Sequence, residues 1–293
     1  MPLRLEERGK IDLNMGLKQT TYHDVLCERL PDAKKVSIII AHDKKRGTEI
    51  LERCLQSVKK STFFSGLNEE AEVVISEEPG KTYSRNDAVR KSKGNLLVFI
   101  DDDAVSTDSW LHELLKPFKD VSVGAVGGPS VLMPHGSLRE AIADKLLYSS
   151  IATWKSSSRY LAKGETRFTD ESELHSCNLA IRRDVFDLAN GFPDIVPCEE
   201  NALLNNMENL GFKLVYTPLA VVHHSRAPLF LPYTKKMFYY GTGRGKMIRR
   251  YGFRKGRPRF INPTIKSTIY FLIGLVLHYV SYISGLIWGL MKG

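Results

Sequence analysis

A doubly wound α/β domain followed by a membrane-associating C-terminal segment is the fold class that three observations predict. Continuous apolar runs at residues 36–41 (VSIIIA), 72–76 (EVVIS) and 95–100 (NLLVFI) read as strands buried on both faces of a parallel sheet. Helical periodicity fills the gaps between them, giving the alternation of strand and crossover helix that builds such a sheet. Residues 267–291 hold no Asp, Glu, Lys or Arg, and the stretch is long enough for a helical pass of about 20 residues.

In chain order, residues 1–35 alternate charged and apolar residues without a continuous apolar core, so no signal peptide is expected, and helix is expected only around 24–30. After the first strand a helix is expected over 48–59, with Ile50, Leu51, Cys54, Leu55 and Val58 on one face. Ser84 is the expected N-cap of a helix running to about Lys91, with Asp87 in its first turn. A strand at 121–126 precedes a Gly-Gly-Pro turn, and an amphipathic helix is expected over 138–152. Then come a strand at 178–182, a helix at 199–210 ended by Gly211, and strands at 213–216 and 220–222. The predicted organisation is an N-terminal extension (1–35), the α/β domain (36–230), a basic and aromatic juxtamembrane stretch (231–266) and a transmembrane segment (267–291). Ligands of such sheets bind beyond the carboxyl ends of the strands, which directs attention to the loops after Ala41, Ser76 and Ile100.

Charge sets the expected compartment. Eleven Lys or Arg residues lie between Lys235 and Lys266, against Lys292 alone beyond the apolar stretch, a bias that places the preceding domain in the cytoplasm. The net charge of +9 sits mostly in this block, and its position beside the apolar stretch favours anionic lipid headgroups over nucleic acid. A buried core helix and a re-entrant hairpin are the alternatives to a span, with His278, Gly274, Gly285 and Gly289 marking a helix-packing face. Cys27, Cys54, Cys177 and Cys198 show no CxxC spacing, so neither a zinc site nor a disulfide framework is expected.

Asp101, Asp102 and Asp103 follow directly on the third strand. Crowded carboxylates are unfavourable unless a positive partner arrives, and Mg²⁺ or Mn²⁺ is the natural one because hard cations take carboxylate oxygens and leave positions for phosphate oxygens. In an extended segment Asp101 and Asp103 share a side while Asp102 faces the other way. Capping of the helix expected at 109–118 is the competing explanation.

The ordered blocks VSIIIA, EVVISEEPGKTYSRNDAVRKSKGNLLVFIDDD, NLAIRRDVFDLANGF and EENALLNNMENLGFKLVYTPLAVVHH resemble the family-2 glycosyltransferases of the GT-A fold over residues 36–250. The resemblance implies that the aspartate cluster is that family's DxD element, with Asp101 and Asp103 on the metal and Asp101 and Asp102 on the donor. It implies a nucleoside-recognition position at Glu77, beside Glu78, and a phosphate-side role for Arg85, next to Asn86, with Lys81 as a weaker assistant. Asn178 matches a residue near the donor sugar, and His224 matches a histidine near the metal. Glu200 stands at the place of the catalytic base, where the family usually has Asp; the competing explanation is that Glu199 and Glu200 only favour a helix N-terminus. The Gly241-Thr-Gly-Arg-Gly245 pattern does not follow a strand, so it is not a dinucleotide site. A Gln-x-x-Arg-Trp element of processive synthases is absent, which points to transfer of a single sugar.

The expected activity is therefore inverting transfer of one hexose from a UDP-, GDP- or dTDP-sugar to an acceptor hydroxyl on a lipid-linked or membrane-proximal glycan. Two alternatives stay open: a polyprenyl-phosphate sugar synthase and a non-catalytic membrane scaffold with the same fold. Donor base, acceptor and oligomeric state are left open by the sequence.

Overall fold

A computed structural model describes residues 35–67, 70–252 and 269–292. The helix expected near 24–30 and the later half of the basic stretch lie outside the described residues. The elements are β1 (Val36–Ala41), α1 (Thr48–Phe64), β2 (Ala71–Ser76), α2 (Lys81–Lys91), β3 (Leu96–Asp101), β4 (Ala104–Ser106), α3 (Trp110–Leu115), β5 (Val123–Gly127), β6 (Ser130–Leu132) and α4 (Leu138–Leu147). They continue with β7 (Arg167–Thr169), β8 (Asn178–Arg182), α5 (Arg183–Leu188), α6 (Glu199–Asn209), β9 (Lys213–Tyr216), β10 (Val222–His224), α7 (Leu231–Tyr251) and α8 (Ile269–Lys292).

The main sheet has the order β2-β1-β3-β8-β5-β9-β7. β2, β1, β3, β5 and β9 run in one direction, and β8, between β3 and β5, and the edge strand β7 run against them, so the sheet is mainly parallel with two antiparallel strands. The apolar runs are continuous because alternate residues feed two cores. Ile38, Ile40, Val98 and Ile100 meet Cys54 and Val58 of α1 on one face, whereas Ile39, Leu97 and Phe99 meet Ala88 and Val89 of α2 on the other. β2 departs from the expectation of burial on both faces: it is the edge strand, and Val73 and Ile75 are exposed.

Register brings the strand ends together. Ala41 pairs with Ser76 on one side and with Asp101 on the other, so the loops after β1, β2 and β3 leave the sheet at one level. A small second sheet, β4-β10-β6, is laid against this edge, and its pairing of His224 with Ala104 sets that histidine one residue from Asp103.

Two boundaries move for local reasons. Gly80 takes a left-handed φ of 90°, which lets α2 begin at Lys81, while the Ser84 hydroxyl donates to the Ser76 carbonyl at 2.8 Å instead of capping a helix. Residues 231–251, expected as juxtamembrane chain, form one helix that belongs to the α/β domain: Tyr233 and Met237 are buried with Ala143, Leu146 and Leu147 of α4.

α8 lies along α7 in parallel, through reciprocal glycine contacts. Gly241 and Gly245 of α7 touch the backbone of Tyr282, Leu286 and Leu290, and Gly285 and Gly289 of α8 touch the carbonyls of Phe238 and Thr242. Small residues at four-residue spacing on both helices allow this backbone approach. The phenol of Tyr233 and His278 Nδ1 close the buried seam at 2.8 Å. Within α7, a Cβ on Gly243 collides with the Pro197 carbonyl, a backbone atom that cannot swing aside. Gly243→Ala is therefore expected to cost about 1–3 kcal/mol, as overpacking does, and to lower Tm by roughly 2–12 °C. Differential scanning fluorimetry with an unchanged Tm contradicts this packing.

Candidate active site

Three carboxylates and a histidine define the edge of the sheet. Asp101 ends β3, and its Oδ1 accepts from Arg85 Nη2 at 2.8 Å while its Oδ2 lies 3.3 Å from Lys81 Nζ. Asp103, two residues on, faces the same side: its Oδ2 meets Arg46 Nη2 at 2.9 Å and its Oδ1 lies 3.1 Å from His224 Nε2. Asp101, Asp103 and His224 each offer one ligand atom, all within 4.8 Å of one another. Asp103 Oδ1 is buried, and His224 Nε2, 3.1 Å away, pairs with it without the alignment of a full hydrogen bond. Two carboxylate oxygens and an imidazole nitrogen in such a cluster fit Mn²⁺ or Mg²⁺.

Electrostatics tie the cluster together. Burial alone raises the Asp101 carboxyl, but Lys81, His224 and Arg85 hold it well below the usual carboxylate range. Burial likewise opposes ionisation of Asp103, and His224 nevertheless brings it down to about 2. Burial disfavours charge on His224, yet Asp101 and Asp103 push it up to about 9. A proton on His224 and a divalent cation are thus alternative ways of balancing the same two carboxylates.

Asp102, expected on the donor, has a side chain 4% exposed that meets Arg46 Nη1 at 2.7 Å and His42 Nδ1 at 2.9 Å. The same guanidinium reaches Asp103, so Arg46 joins the two neighbouring carboxylates and ties the loop after β1 to the end of β3. Asn178, expected near the donor sugar, donates its amide to the Pro129 and Ala220 carbonyls and accepts from Trp110 Nε1 at 2.8 Å in a buried knot.

With α2 starting at Lys81, Arg85, expected on the phosphate side, sits on the second turn, 3% exposed, and bridges Asp101 Oδ1 and Glu199 Oε1 at 2.8 Å each. It ties the end of β3 to the start of α6. Lys81 occupies the exposed position at the helix start, and Asp101 pushes its ammonium up to about 12. Glu77 lies at the rim of the recess after β2, lined also by Lys44, Ile75, Ser76 and Lys91, and pairs with Lys44 at 2.9 Å.

The Arg85 bridge holds Glu199 against the end of β3, and the next residue, Glu200, lies within electrostatic reach of Arg85 and Tyr240. Cys198, with φ 105°, turns the chain into α6 so that Glu199 and Glu200 occupy its first turn. Glu199 is held by Arg85, while burial and the neighbouring Glu199 push Glu200 up to about 7. A carboxyl poised there can take a proton from a hydroxyl near neutral pH.

Several site residues escaped the sequence reading. Arg46 and His42 lie in the loop after β1, a place the strand-end rule already indicated but whose charges carried no pattern. Lys236 and Tyr240 stand one turn apart on α7 within electrostatic reach of Lys81, Asp101 and Asp103, where the sequence suggested only a membrane flank. Their four-residue spacing on one helix face was the available signal.

Comparison with known proteins accords with this architecture. Succinoglycan biosynthesis protein ExoM of Rhizobium meliloti (strain 1021) is 26% identical over 185 residues, 59% of this chain and 55% of that protein. The chain thus spans little more than half the length of this relative. The mannosyltransferase PcManGT from Pyrobaculum calidifontis, solved in complex with GDP-Man and Mn²⁺, superposes with a TM-score of 0.51 at 16% identity, covering 92% of this chain and 81% of that one. The signature of the family described as Glycosyl transferase family 2 matches residues 22–188. A signature spanning more than half of the chain, on a sheet of this architecture, leaves one assignment: the protein belongs to glycosyl transferase family 2 and has the GT-A fold.

Proposed function

We propose that this glycosyltransferase moves a single hexose from a nucleoside diphosphate sugar to an acceptor hydroxyl with inversion, using Mn²⁺ or Mg²⁺, at the cytoplasmic face of a membrane. The observation that supports the reading is the Arg85 bridge, which links Asp101 of the Asp101–Asp103–His224 cluster to Glu199, the neighbour of Glu200. Asp101, Asp103 and His224 hold the cation, and Lys81 reaches a donor phosphate from the start of α2. Glu77 at the neighbouring recess accepts hydrogen bonds from the nucleoside. A divalent cation bound there neutralises charge on the departing diphosphate.

Glu200 takes the proton of the acceptor hydroxyl. The acceptor oxygen attacks the anomeric carbon from the face opposite the diphosphate, a new C–O bond forms as the old one breaks, and the electron pair leaves with the nucleoside diphosphate. Attack from the opposite face inverts the anomeric centre. The biosynthetic role in the name of the Rhizobium relative, together with the apolar helix α8, supports an acceptor on a lipid-linked or membrane-proximal glycan.

The test is a screen of UDP-, GDP- and dTDP-hexoses for thermal stabilisation with and without Mn²⁺, followed by NMR of the product linkage. One nucleotide class is expected to raise Tm in a metal-dependent way and to yield the inverted anomer. A retained anomer, or stabilisation indifferent to Mn²⁺ and Mg²⁺ across all donors, defeats the proposal.

A further inference from the structure

Leu272–Lys292 is long and apolar enough to cross a membrane, but its packing constrains how it meets one. Its glycine face meets Leu146 of α4 and Leu229 at Gly274, and is joined to α7 from His278, against Tyr233, to the far end, where Arg249 donates to the Leu290 and Met291 carbonyls. α7 is in turn buttressed on the α/β domain through Gly243 against Pro197 and through Tyr233 and Met237. It also carries Lys235, Lys236, Arg244, Lys246, Arg249 and Arg250. A crossing α8 must either tear the glycine seam or draw these cations into hydrocarbon, at about 2.5–3.5 kcal/mol for each one at the centre of a bilayer.

The opposite face is unpartnered. Leu272, Ile273, Val276, Val280, Ile283 and Ile287 recur at helical spacing and are each 43–62% exposed. The apolar surface continues onto exposed Leu138, Phe230 and Leu231, held beside α8 by the Leu229 amide donating to the Arg139 carbonyl and by Leu229 against Gly274. Each end has a cation over an aromatic ring: Arg139 lies 5.6 Å from the Phe230 centroid and Lys292 5.5 Å from that of Trp288. α8 contains no Asp or Glu. An apolar face with basic and aromatic ends matches the boundary between anionic headgroups and acyl chains.

We propose that α8 lies in the plane of an anionic membrane surface, its outer face sunk into the acyl boundary, without crossing the bilayer. The inference deepens the membrane placement proposed above and is independent of the catalytic assignments. It sets α7 between cleft and membrane, so that Lys236 and Tyr240 line the route by which a membrane-borne acceptor reaches the site.

The full chain is tested by flotation with vesicles of phosphatidylglycerol and phosphatidylcholine. Binding is expected to fall at least tenfold in the Val276→Glu/Ile283→Glu variant, whose exposed positions leave Tm unchanged, and at least tenfold for the parent on phosphatidylcholine alone. In sealed vesicles from expressing cells, Lys235→Cys and Lys292→Cys variants, compared with the parent, report sidedness to an impermeant maleimide. Both positions are expected in the same compartment. Opposite compartments establish a span and overturn the proposal. So does undiminished flotation of the double variant, or a parent that ignores vesicles and instead dimerises through this face, with the dimer lost in the double variant. Donor-induced stabilisation, read in the same samples, separates failure here from failure of the catalytic reading.

Discussion

Glu200→Gln is expected to lower the transfer kcat by roughly 10²–10⁴-fold, the contribution of a positioned proton acceptor, while donor-induced stabilisation is retained. Gln keeps the shape of the side chain and loses the base. Because burial and Glu199 push Glu200 up to about 7, the parent's kcat/KM is expected to rise with pH through about 7 and level off above, and the variant's residual activity is expected to lose that limb. The same shift makes a stability signature. Glu200 binds its proton more tightly folded than at the ordinary value of 4.5, so the stability it contributes is present below that value and is lost as pH rises through about 7. The Gln variant escapes this loss and is expected to melt above the parent at pH 8. An inactive variant that is also less stable at pH 8 marks Glu200 as a structural residue. Full activity of the variant points to an acceptor that arrives already ionised, as a polyprenyl phosphate does.

What the sequence disclosed and what it concealed follow from the range of the interactions involved. The β1-α1-β2-α2-β3 alternation was legible because each central strand feeds two cores and so shows an unbroken apolar run. The shared side of Asp101 and Asp103 was legible in their two-residue spacing, whereas the turn at residues 102–103 lets one Arg46 guanidinium hold Asp102 together with Asp103. The hydrogen bonds of Asn178 were not legible because its partners, the carbonyls of Pro129 and Ala220, are more than forty residues away in the chain and leave no local trace. The Arg85 bridge was hidden by one local event, the Pro79-Gly80 turn that starts α2 three residues before Ser84 and turns Arg85 toward Glu199. For α8, hydropathy recorded the apolar outer face but could not show that its glycines fit those of α7, since that complementarity belongs to two segments at once.

Asp101, Asp102 and Asp103 are identical in chemistry and adjacent in sequence, yet their replacement is expected to do different things. Asp103→Ala removes the buried carboxylate that pairs with His224 and, with it, one of the ligand atoms of the cluster. Its Tm is expected to stay close to that of the parent, because Arg46 keeps Asp102 as a partner and is itself about 40% exposed to water. Mn²⁺-dependent donor binding, followed by calorimetry, is expected to weaken by more than the roughly 10–100-fold that loss of an outer supporting partner costs a metal site. Asp102→Ala is expected to reverse the pattern. It strips His42 and Arg46 of a carboxylate that is 4% exposed, a loss on the order of 3–5 kcal/mol for a fully buried pair and less here because Arg46 reaches solvent. Tm falls, while the Asp101–Asp103–His224 cluster keeps its donor set and, below the melting transition, its metal-dependent binding. If Asp103→Ala binds donor and Mn²⁺ as the parent does, the cation site at the end of β3 is refuted. If Asp102→Ala loses binding at unchanged Tm, the donor contact expected of that residue is supported.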